Sequence, residues 1–227
     1  MPGGPYKRGG GRPHSSTHGQ PTSQAGGEKK VIDRERGADR PLRILLAGER
    51  GSGKTTCCMT AARMLREQGL RPAGVVCPKL VDGEGRVIGI EVLNILTDPP
   101  SREVLARTDL ERVGPRTGRY QFSEEGLQFG RDALKAGARH GDVMFADELG
   151  PLEMRGEGFS NLLDLARAPL TPPMVIVVRT GLVSDVCREL NAIPTLLEFE
   201  SSRPEGTPSR LLGLLLPTKR GRSSFLL

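Results

Sequence analysis

The feature that most constrains the fold of this chain is a glycine-rich segment placed between two apolar stretches. Residues 48–55 have the sequence Gly-Glu-Arg-Gly-Ser-Gly-Lys-Thr, which is the pattern G-x-x-x-x-G-K-T. The largely apolar residues 42–47 before it predict a buried strand, and residues 56–66 after it carry apolar side chains at helical spacing. A glycine loop between a strand and a helix predicts a phosphate-binding loop on an α/β scaffold.

The residue types in this loop suit the recognition of a nucleotide polyphosphate. Its glycines allow backbone N–H groups to point at phosphate oxygens, and the helix N-terminus adds partial positive charge. The pattern predicts that Lys54 is a catalytic cation on the β- and γ-phosphates and that the Thr55 hydroxyl ligates Mg²⁺. We therefore predict nucleotide binding. The predicted contacts are Gly48, Glu49, Arg50, Gly51, Ser52, Gly53, Lys54, Thr55 and Thr56.

A pair of acids follows a short apolar run in the second half of the chain. Residues 142–146 predict a buried strand, and Asp147 and Glu148 come directly after it. With this strand expected beside the strand that precedes the glycine loop, Asp147 reaches the metal ion together with Thr55. Glu148 is then placed to polarise the attacking water as a general base. Glu153, further along, either lines the site or faces solvent.

Three arginines are candidates for the positive charge that phosphoryl transfer requires at the transition state. Arg116 and Arg119 lie in the Gly/Pro-framed segment 114–120 and are the predicted catalytic arginines. Arg179 follows the apolar run 174–178. Because ligands gather at the carboxyl ends of parallel strands, Arg179 is expected near the base or the phosphates.

Strands and helices alternate from Pro41 onward. The two runs at 73–80 and 86–93 flank an Asp-Gly turn and predict a hairpin, with Pro78 at an edge or at a break in the first run. Ser123 is the predicted N-cap of a helix. Further strands are predicted at 142–146, 174–178 and 195–199, and helices at 102–107, 123–138, 159–166 and 183–190. This order predicts an α/β fold with a mainly parallel sheet, helices on both faces and an added β-hairpin.

Composition divides the chain into a central domain and two tails. The predicted parts are a disordered, basic Gly/Pro-rich tail at 1–40, the phosphate-loop domain at 41–200, and a linker and C-terminal tail at 201–227. The apolar residues 211–216 are expected to dock on the domain. The net charge of +6 comes from the tails, since residues 1–30 carry +4 and residues 218–227 carry +3. We therefore predict no nucleic-acid site on the core and only weak contacts of the tails with anionic polymers.

The sequence carries no sign of membrane insertion or secretion. No apolar run approaches the roughly 18 residues that a membrane span needs. The N-terminus lacks the apolar core of a secretory signal. The four cysteines form no C-x-x-C pair, so buried free thiols are expected. These features favour a cytoplasmic protein.

Taken together, the motifs resemble those of the small P-loop nucleoside-triphosphatase family. The resemblance rests on the glycine loop, the hairpin ending in Val-Ile-Gly-Ile-Glu-Val, the segment 114–120 and the run Asp-Glu-Leu-Gly-Pro-Leu-Glu at 147–153. It covers about residues 42–200. It implies a RecA-like P-loop fold and slow, Mg²⁺-dependent hydrolysis of nucleoside triphosphates such as ATP and GTP, with loose base preference.

The same resemblance implies roles for individual residues. Lys54 and Thr55 correspond to the phosphate and metal ligands, and Asp147 and Glu148 to the metal-site acid and the general base. Arg116 or Arg119 corresponds to the charge-stabilising group. The chain departs from many family members at Cys77-Pro78, where a more polar strand with an acid is usual, and at Pro151, where a lysine often stands. Substrate preference therefore does not transfer with the resemblance.

Two other functions use the same set of residues. A nucleotide or small-molecule kinase has the same loop, metal and arginines, although the sequence contains no lid-like insertion. A nucleotide-gated adaptor ATPase would use hydrolysis as a timer, and its basic tails would recruit partners.

Overall fold

The structure is a computed structural model that describes residues 41–109 and 114–216. The strands are β1 (Arg43–Ala47), β2 (Pro72–Val76), β3 (Lys79–Val81), β4 (Val87–Asn94), β5 (Ser101–Arg107), β6 (Arg116–Thr117), β7 (Tyr120–Phe122), β8 (Val143–Leu149), β9 (Met174–Val178) and β10 (Thr195–Glu198). The helices are α1 (Lys54–Glu67), α2 (Glu124–His140), α3 (Pro151–Met154), α4 (Leu162–Arg167), α5 (Val183–Leu190) and α6 (Gly206–Leu215). The predicted disordered tail at 1–40 lies outside the described residues.

The described strands form one sheet with a parallel half and an antiparallel half. Their order is β10-β1-β9-β8-β2-β4-β5-β7-β6, and β3 pairs with β4 off this path. The first five strands run parallel to their neighbours. The pairing of β2 with β4, and every pairing of β3, β5, β6 and β7, is antiparallel. The predicted α/β fold is confirmed, and the predicted hairpin, formed by β3 and β4, belongs to a larger antiparallel extension.

Both faces of the parallel half are buried, which explains why its strands are apolar at consecutive positions. In β1, Ile44 and Leu46 pack on one face of the sheet with side chains of α1 and α6. Leu45, between them, packs on the other face with side chains of α2, α4 and α5. The sheet therefore separates two apolar cores, and helices cover both.

A buried arginine at the start of β1 joins this strand to the segment that precedes β9. Arg43 is 6% exposed. Each N–H of its guanidinium has an acceptor, and these are the carbonyls of Leu42, Ala166, Ala168 and Pro172 and the hydroxyl of Thr171. Burial lowers the pKa of Arg43. Because every donor is paired, the strand tolerates a charge among apolar neighbours.

Helix α2 approaches the sheet closely through glycines. A Cβ added at Gly126 would overlap the backbone carbonyl oxygen of Val104 in β5. A Cβ added at Gly137 would lie 2.9 Å from the backbone nitrogen of Gly74 in β2. The helix also begins as predicted, because the Gly126 N–H donates to the Ser123 Oγ over 3.2 Å.

The structure differs from the predicted elements in two places, one a predicted helix that is a strand and the other a predicted strand that is interrupted. Residues 102–107 form strand β5 and not a helix, because β5 pairs with β4 on one side and with β7 on the other. These backbone pairings outweigh the helical propensity of a short segment. The run at 73–80 is interrupted at Cys77-Pro78 into β2 and β3, as Pro78 indicated.

The apolar residues 211–216 lie in the C-terminal part of α6 and dock as expected. Leu211 and Leu215 are buried in the core that lies on the α1 face of the sheet. The helix begins at Gly206, inside the stretch predicted to be a linker. Within the part of the chain that the structure describes, no helix has the length and apolarity to cross a membrane.

The four cysteines are free thiols, as the sequence indicated. Cys57 and Cys58 are buried on α1, whereas Cys77 and Cys187 are partly buried. Burial raises the pKa of Cys57 to about 12 and raises that of Cys58 well above its ordinary value. The two α1 thiols therefore act as small apolar side chains of the core.

Candidate functional site

The glycine loop leads from the carboxyl end of β1 to the first residue of α1. Gly51 and Gly53 have φ angles of 77° and 112°, which glycine adopts more readily than any other residue. The Gly48 N–H donates to the Val178 carbonyl over 3.3 Å, which holds the start of the loop against the end of β9. The loop therefore surrounds the N-terminus of α1, where unpaired backbone N–H groups favour an anion.

Lys54 folds back over this loop. Lys54 is 6% exposed, and its Nζ donates to the carbonyls of Gly48 over 2.7 Å and Glu49 over 2.6 Å. Burial lowers the pKa of Lys54, while Glu148 and Asp147 act to raise it. The ammonium group is thus held within the loop by carbonyl groups and by two nearby acids.

The predicted acid pair lies within strand β8, which extends to Leu149 and therefore ends later than expected. The pairing of β8 with β9 shifts between Ala146 and Leu149, so that Asp147 and Glu148 occupy a β-bulge. A bulge changes the direction of side chains at the point where regular pairing is interrupted.

The expectation that this strand lies beside β1 is wrong, because β9 lies between β1 and β8. All three strands are parallel, so their carboxyl ends still meet at one edge of the sheet. The acids reach the glycine loop across the end of β9. A residue at the end of β9 is therefore brought to the same place.

Asp147 is buried against the first turn of α1. It is 3% exposed, and its Oδ2 accepts from the Cys77 N–H over 3.2 Å. Burial raises the pKa of Asp147 to about 6, although the nearby Thr55 hydroxyl acts to lower it. A carboxylate beside a hydroxyl at a phosphate loop is the oxygen donor set that suits Mg²⁺, which takes its other ligands from phosphate and water.

Glu148 forms an ion pair with Arg179. The Arg179 Nε lies 2.6 Å from the Glu148 Oε1, and their side chains are 40% and 33% exposed. Arg179 directly follows β9, and Glu148 lies in the bulge of β8. The arginine that the structure brings to the acid pair is therefore Arg179, for which the sequence signal was its position after a buried strand.

Of the two expectations for Glu153, the one in which it faces solvent is wrong, and its side chain lines a cavity together with Asp147 and Glu148. It is buried, and its carboxylate accepts from the N–H groups of Gly150 over 2.9 Å and Phe159 over 3.0 Å. Burial raises the pKa of Glu153, and these two hydrogen bonds lower it. Glu153 thus holds the turn that follows the acid pair, with its side chain at the wall of a cavity beside that pair.

The two predicted catalytic arginines lie on the hairpin of β6 and β7. Arg116 is exposed, and its Nε donates to the Gly118 carbonyl over 3.3 Å. Arg119 lies with its Cζ 5.2 Å from the ring centre of Tyr120, and the Cζ of Arg50 in the glycine loop is 5.9 Å from the same ring. Cation–π contacts to one tyrosine therefore connect this hairpin with the loop.

A cavity of about 380 Å³ brings most of these groups together. Its walls include Lys54 and Thr55 from α1, Asp147 and Glu148 from β8, and Tyr120 from β7. Further predicted contacts that line it are Arg50, Gly51, Gly53 and Thr56. The arrangement combines a polyphosphate cradle, an oxygen donor pair for a divalent cation and a carboxylate beside them, and we call this space the phosphate cavity.

The sequence is similar to those of known nucleoside-triphosphatases. Residues 43–199 match the model of a protein family described as NTPase. The nucleoside-triphosphatase THEP1 of Methanopyrus kandleri is 29% identical to this chain over 165 residues, which make up 73% of this chain and 83% of that protein.

Two solved structures share the fold. THEP1 from the hyperthermophile Aquifex aeolicus has a TM-score of 0.61 and 18% sequence identity, and the match covers 78% of this chain and 100% of that chain. A human cancer-related nucleoside triphosphatase has a TM-score of 0.61 and 18% sequence identity, and the match covers 80% of this chain and 100% of that chain. At this level of identity the likeness supports the P-loop fold and not a shared substrate.

Proposed function

Because the chain belongs to the NTPase family, we propose that it hydrolyses nucleoside 5′-triphosphates to the diphosphate and phosphate, with Mg²⁺ and with little preference for the base. The observation that carries the proposal is that Lys54, Thr55, Asp147 and Glu148 line one cavity. These are the groups that phosphate binding, metal binding and activation of water require. Curated relatives named as nucleoside-triphosphatases support the same class of reaction.

The triphosphate binds with its β- and γ-phosphates in the glycine loop. Backbone N–H groups of the loop and the N-terminus of α1 donate to the phosphate oxygens. The Lys54 ammonium donates to the carbonyls of Gly48 and Glu49 and, over 3.5 Å, to the Ser52 hydroxyl, so it already lies inside the loop. Its charge offsets the negative charge of the phosphates.

Thr55 and Asp147 are the residues that would hold Mg²⁺. When bound, this ion neutralises charge on the β- and γ-phosphate oxygens. Thr55 and Asp147 line the same cavity, so one cation can reach both. The Cys77 N–H donates to the Asp147 Oδ2 and so orients the carboxylate. This chain therefore prepares the metal site through its own contacts.

Glu148 orients and deprotonates the attacking water, and Arg179 holds its carboxylate. The bulge in β8 directs this acid away from the regular pairing of β8 with β9. Arg179, at 2.6 Å from Glu148, is also placed to share its charge with the γ-phosphate as negative charge develops there. Arg119 and Arg50, stacked near Tyr120 at the edge of the phosphate cavity, can approach the same phosphates.

The proposal is tested by measuring phosphate release from ATP, GTP, CTP and UTP, with and without Mg²⁺. We expect Mg²⁺-dependent release from all four, with values of kcat/KM within about tenfold of one another, because the predicted contacts are mainly to phosphate. Lys54→Ala is expected to lose both binding and turnover. Glu148→Gln is expected to retain binding of a fluorescent nucleotide while kcat falls by about 10²–10⁴.

Matched substitutions on the surface control for non-specific effects. Lys135→Ala and Glu157→Gln remove the same kinds of charge from exposed ion pairs and should leave turnover unchanged. Binding of nucleotide without turnover in the wild type would contradict the proposal. Full activity of Glu148→Gln would show that Glu148 is not the general base. The proposed hydrolysis and the roles of the other residues would be unaffected.

A further inference from the structure

A second cavity, of about 140 Å³, lies against the acid pair. Its polar lining comes from Thr55, Thr117, Asp147, Glu148, Glu153 and Arg179. The remainder is largely apolar and comes from Ile90, Leu105, Phe122, Leu127, Leu152 and Phe159. These side chains belong to the antiparallel extension, to α2 and to the segment after β8.

This cavity adjoins the phosphate cavity at the acid pair. The two spaces share Thr55, Cys77, Ile90, Asp147 and Glu148, whereas Gly51, Gly53 and Lys54 line the phosphate cavity alone. The general base thus lies between the phosphate loop and the smaller cavity. Because phosphoryl transfer is in line, the attacking oxygen enters opposite the diphosphate. The smaller cavity suits this oxygen, because it adjoins Glu148 and is not lined by Lys54 or the loop glycines.

The large apolar side chains of the lining offer an organic molecule contacts that water cannot use. A buried water is retained where two to four polar groups bind it, and cavities with apolar linings remain dry or bind apolar molecules. Several polar groups of the lining already have partners, since Glu153 accepts from two backbone N–H groups and Glu148 is paired with Arg179. The lining therefore matches a molecule with one polar group and an apolar body.

Charge and size limit this molecule further. Arg179 is the cation among the described residues that line the cavity, and it is paired with Glu148. An acceptor that carried a carboxylate or phosphate would meet Asp147, Glu148 and Glu153 without a free cation to offset them. A cavity of about 140 Å³ is close to the roughly 150 Å³ that holds one benzene molecule.

We propose that the smaller cavity is an acceptor cavity, which binds a small uncharged alcohol with an apolar body and transfers the γ-phosphoryl group to it. The proposal rests on the proposed function, because the nucleotide, Glu148 and Lys54 act as they do in hydrolysis. The hydroxyl O–H bond breaks and its proton passes to the Glu148 carboxylate. The alcohol oxygen bonds to the γ-phosphorus, and the bond from that phosphorus to the β–γ bridging oxygen breaks. The electron pair stays on the nucleoside diphosphate, so the products are this diphosphate and a phosphate monoester.

The experiment uses the full chain with Mg²⁺ and ATP, and phosphorus NMR measures phosphate and phosphate monoester in the same sample. The probes are benzyl alcohol, cyclohexylmethanol and 2-phenylethanol, with glycerol as a polar alcohol of similar size. We expect at least one apolar alcohol to yield its monoester at least 100-fold above the share that its concentration relative to water would give. Glycerol should give no such enrichment.

Substitutions in the wall connect the activity to this cavity. Leu105→Phe fills it, so the ratio of monoester to phosphate should fall at least tenfold, whereas Leu214→Phe on the exposed face of α6 should leave the ratio unchanged. Phe122→Leu enlarges the cavity from a partly buried position and should shift preference towards the longer 2-phenylethanol. This second variant keeps the proposal testable if Leu105→Phe does not fold.

The outcomes separate this proposal from the proposed function. Continued release of phosphate without monoester from any of the three alcohols overturns the acceptor cavity and leaves hydrolysis intact. Enrichment that persists unchanged in both wall variants also overturns it, because transfer would then occur elsewhere. If the wild type releases neither phosphate nor monoester, the proposed function itself fails.

Discussion

Arg179 and Glu148 belong to neighbouring strands and meet only because both strands end at one edge of the sheet. The 2.6 Å contact between the Arg179 Nε and the Glu148 Oε1 has two consequences for the proposed chemistry. It fixes the direction of the Glu148 carboxylate, and in the proposed reaction it brings a guanidinium close to the γ-phosphate, which gains charge in the transition state. Arg116, which the sequence also favoured, is exposed on the hairpin and pairs with a carbonyl of its own turn. At the residue scale we therefore expect Arg179 to matter more than Arg116.

Arg179→Gln should lower kcat by about 10²–10³ while KM changes less, since its charge acts mainly on the transition state. Steady-state phosphate release from Mg²⁺ and ATP measures the effect. Arg188→Gln, which breaks an exposed ion pair with Asp185 on α5, is the matched control and should retain full turnover.

The double variant Arg179→Gln with Glu148→Gln tests whether the two residues act as a unit. We expect the combined loss to be smaller than the product of the single losses, as for other coupled catalytic groups. A faster turnover in Arg179→Gln would contradict the catalytic role. It would mean that the ion pair only restrains Glu148.

At the scale of elements, the packing of α2 on the sheet and the formation of β5 depend on each other. Gly126 of α2 lies so close to β5 that no side chain fits between its Cα and the Val104 carbonyl. The helix covers Leu105, which is buried on the same face of the sheet. The local sequence of residues 102–107 favours a helix, but pairing with β4 and β7 and the cover of α2 make the strand the better state.

Gly126→Ala should therefore destabilise the protein, although alanine is intrinsically the better residue in a helix. The added methyl group must displace backbone, and we expect a loss of about 1–3 kcal/mol in the free energy of unfolding. Urea unfolding followed by circular dichroism measures this change. Gly213→Ala in α6 is the matched control, because its Cβ would meet open space.

The control is expected to be stabilising by about 0.5–1 kcal/mol, the difference in helix propensity between glycine and alanine. Equal effects of the two substitutions would show that the close approach of α2 to β5 has no energetic consequence. Such a result would contradict the tight packing at Gly126.

At the scale of the whole molecule, the core extends beyond the domain predicted at 41–200. Helix α6 lies C-terminal to that boundary, yet it contributes Leu211 and Leu215 to the core shared with α1. This core also contains Phe199, whose ring lies next to Gly53 of the glycine loop. The end of the chain that the structure describes is therefore continuous with the packing beneath the phosphate site.

Two truncated proteins test the extent of the folded unit. The free energy of unfolding of a protein with residues 41–216 should lie within about 0.5 kcal/mol of that of the full chain. The reason is that the composition of residues 1–40 predicts no packed structure. Residues 41–200 should lose several kcal/mol, since burying each leucine side chain contributes about 1.5–3 kcal/mol. Urea unfolding of the two proteins provides the comparison, and equal stability of both would contradict a structural role for α6.

The sequence by itself determined the parts of this protein that depend on neighbours along the chain. The glycine loop between β1 and α1, the Ser123 cap and the acid pair after an apolar run are local patterns, and each follows from the stereochemistry of a few consecutive residues. The α/β alternation follows from periodicity, which is also local.

Tertiary structure alone decided which distant residues meet. It placed β9 between β1 and β8, paired Arg179 with Glu148, turned Glu153 towards two backbone N–H groups and formed a partly apolar cavity beside the acid pair. It also converted a helix-favouring segment into β5. These outcomes depend on strand order, on a bulge and on close approach through glycine. Such features are set by the packing of the whole chain, because the free energy of each contact includes burial that no single segment supplies.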